Sequence, residues 1–190
     1  MDSIFNIAVF ASGTGTTLQA LIDNQQEYGY RVAHVVTNRA CQAIERATIA
    51  HIPTLQSKNW EEIDQALTEN HIQLIVLAGF LAIIPEWICQ KWEHRIINIH
   101  PSLLPKHGGK GMYGVHVQEA VLAAGDKMAG CTVHYVSAEV DGGNIIAQAT
   151  VAVEDNDTAD TLAQRVQIEE KLLLPQVIGE LKKNIKGTTK

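Results

Sequence analysis

The chain has 190 residues, 46% of them apolar and 19% charged, with a formal net charge of −6. These values exclude a disordered chain, and they argue against a general nucleic-acid binder, whose surface is normally basic. The length suits one domain with a sizeable core, and no apolar run approaches the ~20 residues that span a bilayer as a helix. The N-terminus, Met1-Asp2-Ser3-Ile4-Phe5, carries no basic flank, so no signal peptide is expected. Cys41, Cys89 and Cys131 are too scattered for a disulfide framework or a zinc signature. They are read as reduced packing residues of a cytoplasmic protein.

Strand and helix patterns alternate along the first half. Residues 4–10 read as a short apolar strand, and residues 16–28 as a helix with Leu18, Leu21 and Ile22 on one stripe. A strand over residues 31–37 is followed by a helix through Ile44 and Ala47, then a short strand over residues 52–55. Residues 60–70 read as a helix, residues 74–78 as a fully apolar strand, and residues 85–92 as a short helix before a strand ending at His100. This alternation predicts a mostly parallel sheet with right-handed crossovers and helices on both faces.

The second half changes character. A glycine-rich loop over residues 108–114 leads into a helix over residues 115–124, then two strands, residues 131–136 and 145–153. The turn-rich stretch between those strands suits an antiparallel pair. A long helix begins near Thr158, with Asp157 or Thr158 as its cap, and residues 182–190 form a polar tail expected to fray. No repeat or linker interrupts the chain. It reads as one domain over residues 1–190, with functional halves at 1–100 and 101–190.

The most informative stretch is Arg95-Ile-Ile-Asn-Ile-His-Pro-Ser-Leu-Leu-Pro105. A strand covered on both faces should be apolar throughout, yet Asn98 and His100 place an amide and an imidazole on one face. Pro101 then ends the strand. A buried core histidine is the plain alternative, but open α/β sheets bind ligands at the carboxyl ends of their strands.

Ser12-Gly13-Thr14-Gly15-Thr16-Thr17 lies between the first strand and the first helix. Glycines permit close approach, and a helix N-terminus offers free amides to an anion. Hydroxyls at Ser12, Thr16 and Thr17 could add donors. A dinucleotide fingerprint would need glycine where Leu18 stands, so a phosphate monoester fits better than a pyrophosphate. A tight turn with a threonine cap is the alternative.

Asp141, held between Val140 and Gly142-Gly143, is either a turn residue or a site carboxylate. Glu170 falls inside the apolar stripe of the last helix, with Leu162, Val166, Leu173 and Val177. A carboxylate there needs a partner, either a ligand amine or amide, or an internal arginine such as Arg165. His134 shares a strand face with Thr132 and reads as structural rather than chemical. Trp60, Trp87 and Trp92 read as packing aromatics. The Lys106-His-Gly-Gly-Lys-Gly-Met-Tyr-Gly114 loop lacks P-loop spacing.

Four motifs together resemble the folate-dependent phosphoribosylglycinamide formyltransferases. They are Ser12-Gly-Thr-Gly-Thr-Thr17, Leu77-Ala-Gly-Phe80, Asn98-Ile-His-Pro-Ser-Leu-Leu-Pro105 and Asp141-Gly-Gly143, with Arg165-Val-Gln-Ile-Glu-Glu170 matching in kind. The resemblance covers almost the whole chain and implies a Rossmann-like formyltransferase fold. It implies Asn98, His100 and Asp141 as the catalytic trio. It implies Gly13, Thr14, Gly15, Thr16 and Thr17 at the substrate phosphate, with Glu170 near the glycinamide amine. Leu81, Ala82, Ile83 and Ile84, with Asn98, Ser137, Ala138, Glu139, Val140 and Asp141, would hold 10-formyltetrahydrofolate as co-substrate, without a metal. The family usually has asparagine at Thr17, and some members have arginine at Ala82. The implied partners are small molecules acting on a monomer or homodimer, with no nucleic acid and no membrane. A formyl-folate hydrolase, a formyltransferase for methionyl-tRNA or an amino sugar, and a non-catalytic binding module are the competing expectations.

Overall fold

A computed structural model describes residues 4–187. Strand β1 (Phe5–Ala11) sends Phe5, Ile7 and Val9 into one apolar layer and Ala8 and Phe10 into another. Covered on both faces, it has no need of polar alternation. Next come α1 (Thr16–Tyr28), β2 (Tyr30–Thr37), α2 (Gln42–Ile49), β3 (Thr54–Gln56), α3 (Trp60–Glu69), β4 (Leu74–Leu77), α4 (Glu86–Lys91) and β5 (Ile96–His100). The chain then forms α5 (Val115–Ala123), β6 (Met128–Tyr135), β7 (Ile145–Ala152) and α6 (Ala159–Gly187).

Among the described residues these strands make one seven-stranded sheet in the order β3-β2-β1-β4-β5-β6-β7. The first five are parallel, while β6 runs antiparallel to β5 and β7 antiparallel to β6. Helices α1, α2, α5 and α6 cover one face through Leu18, Ala43, Val121, Leu162 and Val166; α3 and α4 cover the other through Ile63, Leu67 and Ile88. The chain leaves β1 toward one edge and returns through β4 on the other side. Ligands bind at such a reversal of strand order, outside the strands' carboxyl ends.

The expected α/β architecture is borne out, with shifts at element ends. β3 begins two residues late because Pro53 cannot donate to a ladder, although its carbonyl still accepts from Val35 N at 2.9 Å. β6 starts at Met128, ahead of the apolar run, through residues with weak strand preference. Thr158 is the cap of α6, its Oγ1 accepting from Thr161 N at 3.2 Å. The inward stripe of that helix runs through buried Leu174 rather than half-buried Leu173. The expected frayed tail is helical to Gly187, and its last three positions lie outside the described residues, as do Met1, Asp2 and Ser3.

Trp92 is buried and donates Nε1 to Asp64 at 3.0 Å, and Trp60 stacks on Phe10. Trp87 is 40% exposed and is not a core residue. No helix among the described residues is long and apolar enough to cross a membrane.

Candidate active site

β5 and β6 pair so that Asn98 faces His134 and His100 faces Thr132. Asn98 Nδ2 lies 3.1 Å from His134 Nε2, and His134 Nδ1 lies 2.9 Å from the Tyr135 carbonyl oxygen. A carbonyl only accepts, so the ring proton sits on Nδ1 and Nε2 accepts from the amide. That uses one amide hydrogen of Asn98 and leaves the second for a ligand. His134, expected to be structural, therefore belongs to the site. Its signal in the sequence was the Thr132/His134 pair on one strand face, which mirrors Asn98/His100, but only the β5–β6 register brings the pairs together.

Thr132 is the structural member of its pair. Its buried hydroxyl donates to Ser102 O at 2.6 Å and accepts from Leu104 N at 3.0 Å and Gln148 Nε2 at 2.9 Å. These bonds pin the turn that follows His100.

His100 is 4% exposed, and its Nε2 donates to the His107 carbonyl at 2.9 Å. Its Nδ1 faces Asp141 Oδ2 at 3.5 Å, so the contact that spacing alone could not reveal is present. Asp141 Oδ2 also accepts from Gly109 N at 2.9 Å, and Oδ1 lies 3.6 Å from His134 Nε2, within ion-pair reach when that ring is charged. Asp141 has φ 56°, a left-handed conformation that aspartate tolerates. Two residues on, Gly143 is demanded by packing, since a Cβ there would sit 1.7 Å from the Tyr135 carbonyl oxygen. Burial pushes the Asp141 carboxyl up, but the facing His134 and His100 rings, when charged, and the Gly109 amide outweigh it and hold the group below the usual carboxylate range.

The segment that supplies the His107 carbonyl and the Gly109 amide is itself fixed. Ser102 Oγ donates to Lys106 O at 2.7 Å, and Asp126 binds both Lys106 Nζ and His107 Nε2 at 2.8 Å.

The turn before α1 has no threonine cap. Gly15 occupies the cap position with φ 71°, and no side chain caps the first-turn amides. Those amides point at whatever anion enters, with the positive end of the helix dipole behind them. Gly15 is forced by position, because a Cβ there would meet Ala43 Cα at 2.8 Å. The expected Ser12 donor is unavailable: it is 1% exposed, donates to Asn38 Oδ1 at 2.8 Å and accepts from Leu81 N at 3.0 Å. It ties the phosphate-type loop to the stretch after β4 instead.

Glu170 is 8% exposed and makes no hydrogen bond among the described residues. Burial pushes its carboxyl up to about 7, with Lys171 opposing weakly. Arg165, the internal partner considered for it, binds Glu154 and Asp157 instead. Cys131, whose thiol burial and Glu170 push up to about 12, is no nucleophile.

One cavity of about 680 Å³ is lined by every expected site residue: the loop at 13–17, residues 81–84, Asn98, His100, residues 137–141 and Glu170. Lys110, which the sequence did not single out, is the sole lysine or arginine lining it among the described residues. The cavity thus combines an anion cradle, an apolar slot, a buried protonatable carboxyl and an amide–imidazole–carboxylate trio. That set can receive an anion, offer hydrogen-bond donors to a developing negative oxygen and move a proton.

The chain matches the formyl transferase family over residues 5–178. It is 40% identical to the trifunctional purine biosynthetic protein adenosine-3 of Drosophila melanogaster, over 92% of this chain and 14% of that one. It is 37% identical to the chloroplastic phosphoribosylglycinamide formyltransferase of Arabidopsis thaliana, over 92% of this chain and 64% of that one. The chain therefore spans less than two thirds of these curated relatives. The solved phosphoribosylglycinamide formyltransferase of Anaplasma phagocytophilum superposes with a TM-score of 0.89 at 36% identity, covering 96% of this chain and 89% of that one. Fold and likeness agree: the chain belongs to the formyl transferase family, among its phosphoribosylglycinamide formyltransferases.

Proposed function

We propose that the protein transfers the formyl group of 10-formyltetrahydrofolate to the amine of glycinamide ribonucleotide, a step of purine synthesis. The observation that carries this is the convergence of Asn98, His100 and Asp141 in a cavity that also holds the uncapped N-terminus of α1. An anion cradle beside an oxyanion site fits a phosphorylated acceptor.

The amine nitrogen attacks the formyl carbon, a C–N bond forms, and the carbonyl electron pair moves onto oxygen. The second amide hydrogen of Asn98 donates to that oxygen. His100 Nε2 is committed to His107, so Nδ1, held loosely at 3.5 Å from Asp141, is the donor that turns to the oxyanion when the ring is charged. One such donor is worth about 3–4 kcal/mol in the transition state. Collapse breaks the bond to the folate nitrogen, and the proton lost by the amine passes to that nitrogen, with Asp141 assisting through water. No covalent enzyme intermediate is needed.

The amides of Gly13, Thr14, Gly15, Thr16 and Thr17 take the substrate phosphate, and backbone contacts tolerate Thr17 in place of asparagine. Glu170 takes the glycinamide amine. Leu81, Ala82, Ile83 and Ile84, with Ser137, Ala138, Glu139 and Val140, hold the pterin largely through backbone groups. The apolar side chains presented there, including Leu81 at 50% and Ile83 at 70% exposed, suit a flat ring. In this scheme the halves 1–100 and 101–190 share the site: the first gives the phosphate loop, residues 81–84, Asn98 and His100, the second Ser137 to Asp141 and Glu170. Small-molecule partners, a cytoplasmic location and a monomer or homodimer complete it.

A tetrahydrofolate-release assay with and without glycinamide ribonucleotide tests the function. Release that requires the ribonucleotide is expected. Release without it would mean hydrolysis, and folate binding without release would mean a binding module.

A further inference from the structure

Gln118 has no role in the reaction as described. It sits on α5, is 1% exposed, and lines the same cavity as His100 and Glu170. Its Nε2 donates to the Pro101 carbonyl oxygen at 2.7 Å. Because that oxygen only accepts, the bond settles which end of the amide is nitrogen. The other end, Oε1, is buried and has no hydrogen-bond partner among the described residues.

A buried amide oxygen without a donor is uncommon, since nothing offsets the water it has lost. Asn6 Oδ1, both ring nitrogens of His34 and Thr37 Oγ1 are also unpartnered, but none of those side chains lines the cavity. Among the described residues Gln118 alone combines an orphaned acceptor with a place in the cavity wall. Its anchor, Pro101, directly follows His100, so the amide is fixed to the backbone at the end of the catalytic strand.

The chemistry of the cavity narrows what the oxygen receives. Cationic groups have Glu139, Asp141, Asp160 and Glu170 to choose from, and anionic groups have Lys110 and the α1 amides. A neutral amide oxygen matches a neutral O–H or N–H donor. On the formyl-transfer reading, the ribonucleotide carries ribose hydroxyls and an amide N–H near the reacting amine. We propose that Gln118 is a binding residue for the ribonucleotide substrate, its Oε1 accepting a hydrogen bond from a neutral hydroxyl or amide donor. The inference rests on that reading and adds to it a specificity-determining contact from α5.

Calorimetric titration of the wild type and Gln118→Met with glycinamide ribonucleotide, and separately with tetrahydrofolate, tests this. The variant is expected to bind the ribonucleotide about tenfold more weakly, about 1.4 kcal/mol, with tetrahydrofolate affinity within about twofold of wild type. Equal loss for both ligands would mean a merely structural role for the Pro101 bond, and unchanged ribonucleotide affinity would mean no contact; either overturns the inference. If the variant does not fold, the side-chain carbonyl ¹³C resonance of Gln118 in the wild type replaces it. That resonance should move on saturation with the ribonucleotide and not with tetrahydrofolate, and an unmoved signal overturns the inference. A wild type that fails to bind the ribonucleotide sinks the formyl-transfer reading itself, whereas binding by wild type and variant alike removes only the role of Gln118.

Discussion

Asn98 and His134 face each other across the antiparallel β5–β6 ladder, with Nδ2 and Nε2 3.1 Å apart. The ring takes one amide hydrogen and so fixes the direction of the other. His134→Phe keeps the bulk and removes the acceptor, which should lower single-turnover formyl transfer about tenfold, the scale of one neutral hydrogen bond. Asn98→Ala removes the donor itself and should cost roughly a hundred- to thousandfold. A His134 variant slower than the Asn98 variant would contradict this division of roles.

His100 and Asp141 act as a unit, and their losses should not add. His100→Ala and Asp141→Asn should each cut turnover by orders of magnitude while ribonucleotide binding, measured by calorimetry, survives. The double variant should be little worse than the poorer single one. Near-wild-type turnover in both single variants would remove the trio from the mechanism.

Glu170 links the site to stability. Its carboxyl stays protonated in the fold up to about 7, against 4.5 in the unfolded chain. Between those values the folded state holds the extra proton, so stability falls as pH rises from 4.5 to 7 and then levels off. The loss is on the order of 3 kcal/mol. Glu170→Gln should therefore melt several degrees higher than wild type at pH 8, with little difference near pH 4.5, while binding the ribonucleotide more weakly. Calorimetric melts at both pH values decide the point, and a variant less stable at pH 8 would refute it.

Two glycines of the anion loop separate binding from folding. A Cβ at Gly13 meets nothing within 4 Å, whereas one at Gly15 strikes Ala43. Gly13→Val should raise the KM for glycinamide ribonucleotide at least several-fold with the melting temperature nearly kept. Gly15→Val should lower the melting temperature itself by several degrees, through a strained left-handed backbone and a clash with α2. Steady-state kinetics and melts on the pair test both statements.

Asn98 and His100 were legible because they break an apolar strand, a one-dimensional signal. Glu170 was legible for the same reason on a helix stripe. His134 and Gln118 were not. One depends on a cross-strand register, the other on an amide whose two ends have different partners, and neither is written in spacing. Ser12 misled because its hydroxyl resembles a phosphate donor, yet Asn38, some distance along the chain, claims it. Arg165 misled because nearness in sequence to Glu170 does not say which face of α6 it occupies; its partners lie at the helix start. The sheet followed from alternation, while the ends of β3 and β6 depended on a proline and on partner strands rather than on intrinsic preference.

The short segment after Pro105 gives its His107 carbonyl to His100 and its Gly109 amide to Asp141. The imidazole and the carboxylate are thus hung from one length of backbone, and neither can be shifted without moving the other. Insertions or deletions between Pro105 and Gly109 would put both out of register at once. The glycine-rich stretch just beyond Gly109 has no such double duty, and length differences between this chain and its relatives should gather there.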